Sequence, residues 1–175
     1  SCNIFIVTVP TPINKNKDPD FKPLLDVCKK ISKLLKKGDI VVFESTVYPG
    51  ATEEICAKEL EKNKSSLKSG ADFFLGYSPE RVNPGDKKRT IDKINKVISG
   101  QNKKVETILF DIYSKLTEGE IFLAKNIKVA EASKVIENAQ RDINIAFINE
   151  VTKICSKLNI SVYDVLDASN TKWNF

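Results

Sequence analysis

The sequence predicts an α/β fold: a parallel sheet with helices on both faces, leading into one long helix. Two observations carry that expectation. Up to about residue 127, short continuous apolar runs take turns with amphipathic stretches, as in parallel strands joined by helical crossovers. From about Val129 the apolar residues recur instead at steps of three and four, the periodicity of a single helix. A chain of 175 residues, 41% of them hydrophobic, suffices for one sizeable core or one core with an extension.

The elements follow in order. "NIFIVTVP" is a first apolar strand, and "FKPLLDVCKKISKLLKKG" is an amphipathic helix closed by Gly38, with Leu24, Leu25, Cys28, Ile31, Leu34 and Leu35 on its stripe. "DIVVFE" is a second buried strand; the polar stretch "ESTVYPG" then leads into "ATEEICAKELEKN", read as a helix. A third strand, "DFFLGY", runs into the loop "SPERVNPGDKKR", after which "KVISG", the helix "NKKVETILFDIYSKL" and the strand "GEIFLA" continue the alternation. Ala132, Val135 or Ile136, Ala139, Ile143, Ala146 or Phe147, Val151, Ile154 and Leu158 mark one helix of about thirty residues, roughly 45 Å long. That is more than covering a sheet requires, so it reads as a spine between domains or subunits. "SVYDVLDAS" is a shorter helix with Ser161 as its cap.

Composition removes several classes of function. The formal charge of +5 comes from lysines mixed with carboxylates along helices, without interleaved aromatics, which reads as a solvated face rather than a nucleic-acid footprint. No apolar run approaches the roughly 20 residues of a membrane span. Cys2, Cys28, Cys56 and Cys155 lack metal-type or redox-type spacing, and the latter three sit among apolar helical neighbours, as buried thiols of a reducing compartment do. With no histidine, these residues hold no Ser-His or Cys-His pair and lack the commonest zinc ligand. Any acid or base is Glu, Asp, Lys or a bound water.

The polar stretch after the second strand is explained by where it falls. In an open parallel sheet, ligands bind beyond the carboxyl ends of the strands, where loops carry polar side chains and helix N-termini offer unpaired N–H groups. "VPTP", "ESTVYPGATEE" and "SPERVNPGD" follow three consecutive strands, so together they describe one rim. For any one loop the alternative is that Ser45 and Thr52 cap helices and the prolines shape turns. The three together favour a site.

"VPTP", "ESTVYPGATEE", "GYSPERVNPGD" and "ASKVIENAQRDINIAFINE", in this order and at these separations, resemble the UDP-glucose/GDP-mannose dehydrogenase family, in its branch oxidising UDP-N-acetylated hexosamines. The resemblance covers nearly the whole chain. It implies a Rossmann-like domain over residues 1–127 and a central helical dimerisation domain over 128–175. It implies oxidation of a carbon-six alcohol to a carboxylate with two NAD, through a cysteine-linked thiohemiacetal and thioester, in a cytoplasmic enzyme of polysaccharide biosynthesis that is a homodimer.

The same resemblance assigns residues. Val9, Pro10 and Thr11 line the NAD pocket, with Glu44, Ser45 and Thr46 near the ribose and nicotinamide. Thr46 also orients a water beside the reacting carbon. Glu80 helps hold that water and acts on protons during thioester hydrolysis; the structural alternative is that Glu80 caps its loop or pairs with Arg81. Lys134 and Asn138, four apart on the long helix, stabilise the oxyanion at carbon six. Arg81, Val82, Asn83 and Arg141 join Glu80, Lys134 and Asn138 on the substrate side. Arg81 and Asn83 depart from the glucose-specific pattern, and Pro84 stands where the family has a second glutamate.

Neither the glycine-rich pyrophosphate loop nor the Gly-Gly-x-Cys segment of the family is found in these residues, so a fragment with little NAD affinity of its own is expected. Two other readings stay open. A member of the wider hydroxyacid dehydrogenase superfamily also places a Lys and an Asn four apart, but gives "SPERVNPGD" no role; a non-catalytic dimerisation module requires only the long helix.

Overall fold

Ile40, Val41, Val42 and Phe43 are all buried, and this apolar run forms β2 (Ile40–Phe43), the strand around which the fold is organised. Alternate residues face different layers. Val41 and Phe43 join Leu24, Cys28, Cys56 and Leu60 on one face, while Ile40 and Val42 join Val105, Leu109 and Tyr113 on the other. The expected helix layers on both faces are therefore present: α1 (Lys22–Leu34) and α2 (Ala57–Glu61) on the first, α3 (Lys103–Tyr113) on the second. The structure is a computed structural model and describes residues 2–63, 66–83, 85–88 and 90–175.

The sheet has five strands in sequence order: β1 (Ile4–Val7), β2, β3 (Phe74–Tyr77), β4 (Lys96–Gly100) and β5 (Ile121–Leu123). β1, β2 and β3 are parallel, with Val7, Phe43 and Tyr77 aligned at their carboxyl ends. β4 corrects the all-parallel expectation, because it runs antiparallel to β3. A parallel pair needs a long crossover, usually a helix, and no helix lies between Tyr77 and Lys96 among the described residues. The chain therefore turns back, and α3 then carries it over to β5, parallel to β4.

This reversal matters for the site. The start of β4, rather than its end, lies at the rim where β1, β2 and β3 finish. Tyr77 pairs with Ser99, so continuing the register by three residues sets Lys96 beside Glu80.

The segment after the second strand is helical as expected, but it opens with a π-helical turn, Thr52–Cys56, before α2. Single π turns inside helices occur often at functional sites. Asn102 caps α3, its side chain accepting from Val105 N–H at 3.0 Å.

The long helix is α4 (Ile127–Leu158), 32 residues and ~48 Å at 1.5 Å per residue. Residues 1–135 form one compact unit and 136–175 a second. In the second, α5 (Val162–Asn170) begins at Ser161, whose hydroxyl accepts from Asp164 N–H at 3.3 Å, as its sequence suggests. Cys155 is buried there, but Ile136, Ile143, Phe147, Ile154 and Leu158 are each more than half exposed. Among the described residues no helix is long and apolar enough to cross a membrane.

Candidate active site at the strand ends

Three loops are hydrogen-bonded into one rim. The Ser45 hydroxyl donates to the Val9 carbonyl at 2.5 Å, and the Thr11 hydroxyl to the Thr46 carbonyl at 2.5 Å, so the loops after β1 and β2 hold each other. The Tyr77 hydroxyl donates to the Ser45 carbonyl at 3.1 Å, and the Ser78 and Glu80 amides reach the carbonyls of Phe43 and Glu44 at 3.0 and 3.4 Å. The third loop is tied in the same way. Helix capping does not account for Ser45, since its hydroxyl joins loop to loop, and Thr52 makes no cap at the helix entry. Thr46 and Pro10 remain exposed on this rim, and Val9 and Thr11 are half-buried.

Glu80 is held from two sides. Its Oε1 accepts from the N–H groups of Arg81 and Val82, both at 2.7 Å, so half of the carboxylate does cap its own loop. Its Oε2 lies 3.9 Å from Lys96 Nζ, which is also 3.7 Å from Glu44 Oε1. The Tyr113 hydroxyl donates to Glu44 Oε1 at 2.5 Å, and Lys96 Nζ sits 5.3 Å from the Tyr113 ring centre. The Glu44 carboxylate is thus turned inward. Burial first, and the Glu44 charge second, push the Tyr113 phenol well above its ordinary range. Burial, then the charge of Glu131, do the same to Tyr77. A cavity of about 230 Å³ opens beside this cluster, lined by Glu44, Ile91, Lys96, Tyr113, Leu116 and Thr117.

Glu131 ties the start of α4, within the first unit, to the rim. Its side chain is fully buried, and its two oxygens accept from the N–H groups of Gly50 at 2.5 Å and Thr52 at 2.9 Å. The Pro49-Gly50 turn needs its glycine, for φ is +98° and a Cβ there would lie 2.9 Å from the Glu54 carboxylate. Lys128 and Glu54 pair at 2.8 Å across the same junction.

The remaining residues singled out from sequence are placed as follows. Lys134, half-buried, is one turn beyond Glu131 in the first unit. Asn138 and Arg141 belong to the second unit, where Arg141 Nη2 donates to Asn138 Oδ1 at 2.8 Å. Arg81 Nη1 donates to the Asn95 carbonyl at 3.2 Å, bracing its loop, and Asn83 is exposed. Pro84 lies outside the described residues.

Lys96, Tyr113 and Glu131 went unremarked in the sequence, although each carries a signal. Lys96 is a charge opening an apolar strand. Tyr113 continues the α3 stripe of Val105 and Leu109, and a buried phenol requires a partner. Glu131 shares the buried stripe of Ile127 and Ala130.

Parallel strands whose carboxyl ends present hydroxyls and a carboxylate at one rim set a candidate ligand site where open α/β sheets bind their ligands. The family model described as the NAD binding domain of the UDP-glucose/GDP-mannose dehydrogenase family matches residues 1–117, and that family's central domain matches residues 128–175. The chain belongs to the UDP-glucose/GDP-mannose dehydrogenase family. It is 53% identical to UDP-N-acetyl-D-glucosamine 6-dehydrogenase of Pseudomonas aeruginosa over 99% of its own length, and 54% identical to Protein CapL of Staphylococcus aureus, likewise over 99%. It spans 41% of the length of each. Among solved structures it is similar to UDP-D-ManNAc dehydrogenase from Pyrococcus horikoshii, with a TM-score of 0.89 and 34% identity over 99% of this chain and 40% of that one.

Proposed function

We propose that this protein acts as an NAD-dependent nucleotide-sugar 6-dehydrogenase, oxidising the carbon-six alcohol of a UDP-N-acetylhexosamine to the uronate. The observation that carries the reading is the stitching of the VPTP, ESTV and SPER loops into one rim beside Glu80, in a chain of this family. The names of the relatives in Pseudomonas aeruginosa and Pyrococcus horikoshii support an acetamido sugar over glucose.

NAD fits the rim by the chemistry of its donors. The threonines at 11 and 46, with the backbone of Val9, Pro10, Glu44 and Ser45, would hold its ribose and nicotinamide end; bound there, NAD supplies the oxidising equivalents. The chain's own groups handle position and protons. Thr46 and Glu80 orient a water, and Glu80, held by two N–H groups on one oxygen, exchanges protons through the other. Lys134 and Asn138 donate hydrogen bonds to the oxygen on carbon six as charge develops there. Arg81, Val82, Asn83 and Arg141 contact the sugar side.

In this reading residues 1–127 serve the cofactor and 128–175 belong to a central dimerisation domain. The exposed apolar residues of α4 support a homodimer, since so large an uncovered stripe favours a partner. The setting is cytoplasmic, in synthesis of a surface polysaccharide.

The test is turnover of the full-length protein with NAD on a panel of UDP-sugars, followed by NADH absorbance. The expected result is preference for a UDP-N-acetylhexosamine over UDP-glucose. Oxidation of a simple hydroxy acid, with every UDP-sugar inert, supports the wider superfamily instead.

A further inference from the structure

We infer that Lys96 is a positioning residue for this reaction, holding Glu80 in the orientation in which it meets the substrate side; the inference rests on the functional reading above.

The argument begins with strand direction. Had β4 continued the parallel order, its first residue would lie at the opposite end of the sheet from the rim. Because β4 runs antiparallel to β3, the register delivers Lys96 beside Glu80. A lysine here has no solubility role, since its side chain is only 6% exposed. A buried ammonium is retained only where opposite charge compensates it, and among the described residues Glu44 and Glu80 bring carboxylates within 4 Å of it.

The cluster is graded from core to surface. Tyr113 is 2% exposed, and the side chains of Lys96, Glu44 and Glu80 are 6%, 14% and 39% exposed. The inner end is rigid, for the Tyr113 hydroxyl fixes Glu44 and the Tyr113 ring underlies the ammonium. The outer end is the carboxylate assigned the proton-handling role. At 3.7 and 3.9 Å, Lys96 is committed to neither carboxylate by a short hydrogen bond and acts as a point charge between them. Among the described residues the loop amides grip Oε1 of Glu80, and the ammonium lies on the side of Oε2 and draws it inward. Without it, the Glu44 and Glu80 charges repel, and Glu80, the more exposed of the two, swings outward.

The experiment compares Lys96→Met, Lys96→Arg and Tyr113→Phe with the unsubstituted full-length protein, measuring kcat, both KM values and melting temperature. Lys96→Met should lower kcat about 30-fold and leave KM for UDP-sugar and NAD within about threefold, a loss of the size that misplacing a catalytic group produces. Lys96→Arg, keeping the charge, should recover most of it. Folded Lys96→Met with kcat within about twofold of the parent overturns the positioning role, as does a loss confined to KM. Should Lys96→Met fail to fold, Tyr113→Phe decides, with kcat lowered about fivefold at constant KM in support and unchanged kcat against. A parent that oxidises no UDP-sugar overturns the functional reading, and the positioning role with it.

Discussion

The Glu131 carboxylate accepts a hydrogen bond from the Gly50 amide at 2.5 Å, joining residues 81 positions apart. This contact, with the one from Thr52 N–H, fixes the start of α4 against the loop after β2. Lys134 is the next turn of the same helix, so the placement of that lysine depends on a buried carboxylate reading two backbone donors.

Glu131→Ala leaves two amide donors of that turn without a partner inside the protein. Hydrogen bonds to a charged group contribute about 1.5–3 kcal/mol, so the loss of both should destabilise by about 3–5 kcal/mol. Glu131→Gln, with one oxygen kept and an NH₂ group facing the other donor, should cost about 1.5–3 kcal/mol. Urea unfolding of the 175-residue chain measures both, and equal stability of Glu131→Ala and the parent would contradict the contact.

The thiols offer a chemical test. Hydrogen bonding with Cys28 and then burial push the Cys56 thiol far above its ordinary range, and Cys28 and Cys155 are also buried. Since the thiolate is the nucleophile, native alkylation followed by mass spectrometry should modify exposed Cys2 first and the other three only on denaturation. Labelling of Cys56 as fast as Cys2 would show that the layer between α1 and the π turn is open.

Alkaline stability follows from Tyr77 and Tyr113, whose phenols are raised by burial above the ordinary value of about 10. Above that pH the unfolded chain releases protons that the folded chain retains. The folded state then binds more protons, so stability falls as pH rises, and the full contribution is present only below about 10. Tyr113→Phe should make the fall shallower, read as the change in urea midpoint between about pH 9 and about pH 11. An unchanged slope would place Tyr113 in water.

Much of this was legible before the fold. Continuous apolar runs located β2, β3 and β4, Ser161 announced its cap, and the three polar loops marked the rim, because each signal is local. The direction of β4 was written in the absence of a helical pattern between "DFFLGY" and "KVISG", yet the surrounding alternation suggested a parallel strand. Lys96, Tyr113 and Glu131 were hidden for another reason. Their meaning lies in partners 16 to 81 residues away, which only the register and the packing of α3 and α4 bring together, and a lone charge beside apolar neighbours does not name its partner.

The proposed oxyanion role predicts that Lys134→Ala in the full-length protein lowers kcat by roughly two to three powers of ten with a smaller effect on substrate affinity, since such a donor is needed most as charge develops. Steady-state kinetics beside equilibrium binding of the UDP-sugar make the distinction. A loss confined to binding would make Lys134 a contact of the ground state.

The central claim is oxidation of an alcohol through to a carboxylate at this rim, and counting NADH against product tests it most directly. Full-length protein, given limiting UDP-N-acetylhexosamine and excess NAD, should form two NADH for each sugar consumed, with the uronate as the product seen by mass spectrometry. One NADH per sugar with an aldehyde or ketone accumulating, or no NADH at all, would contradict it.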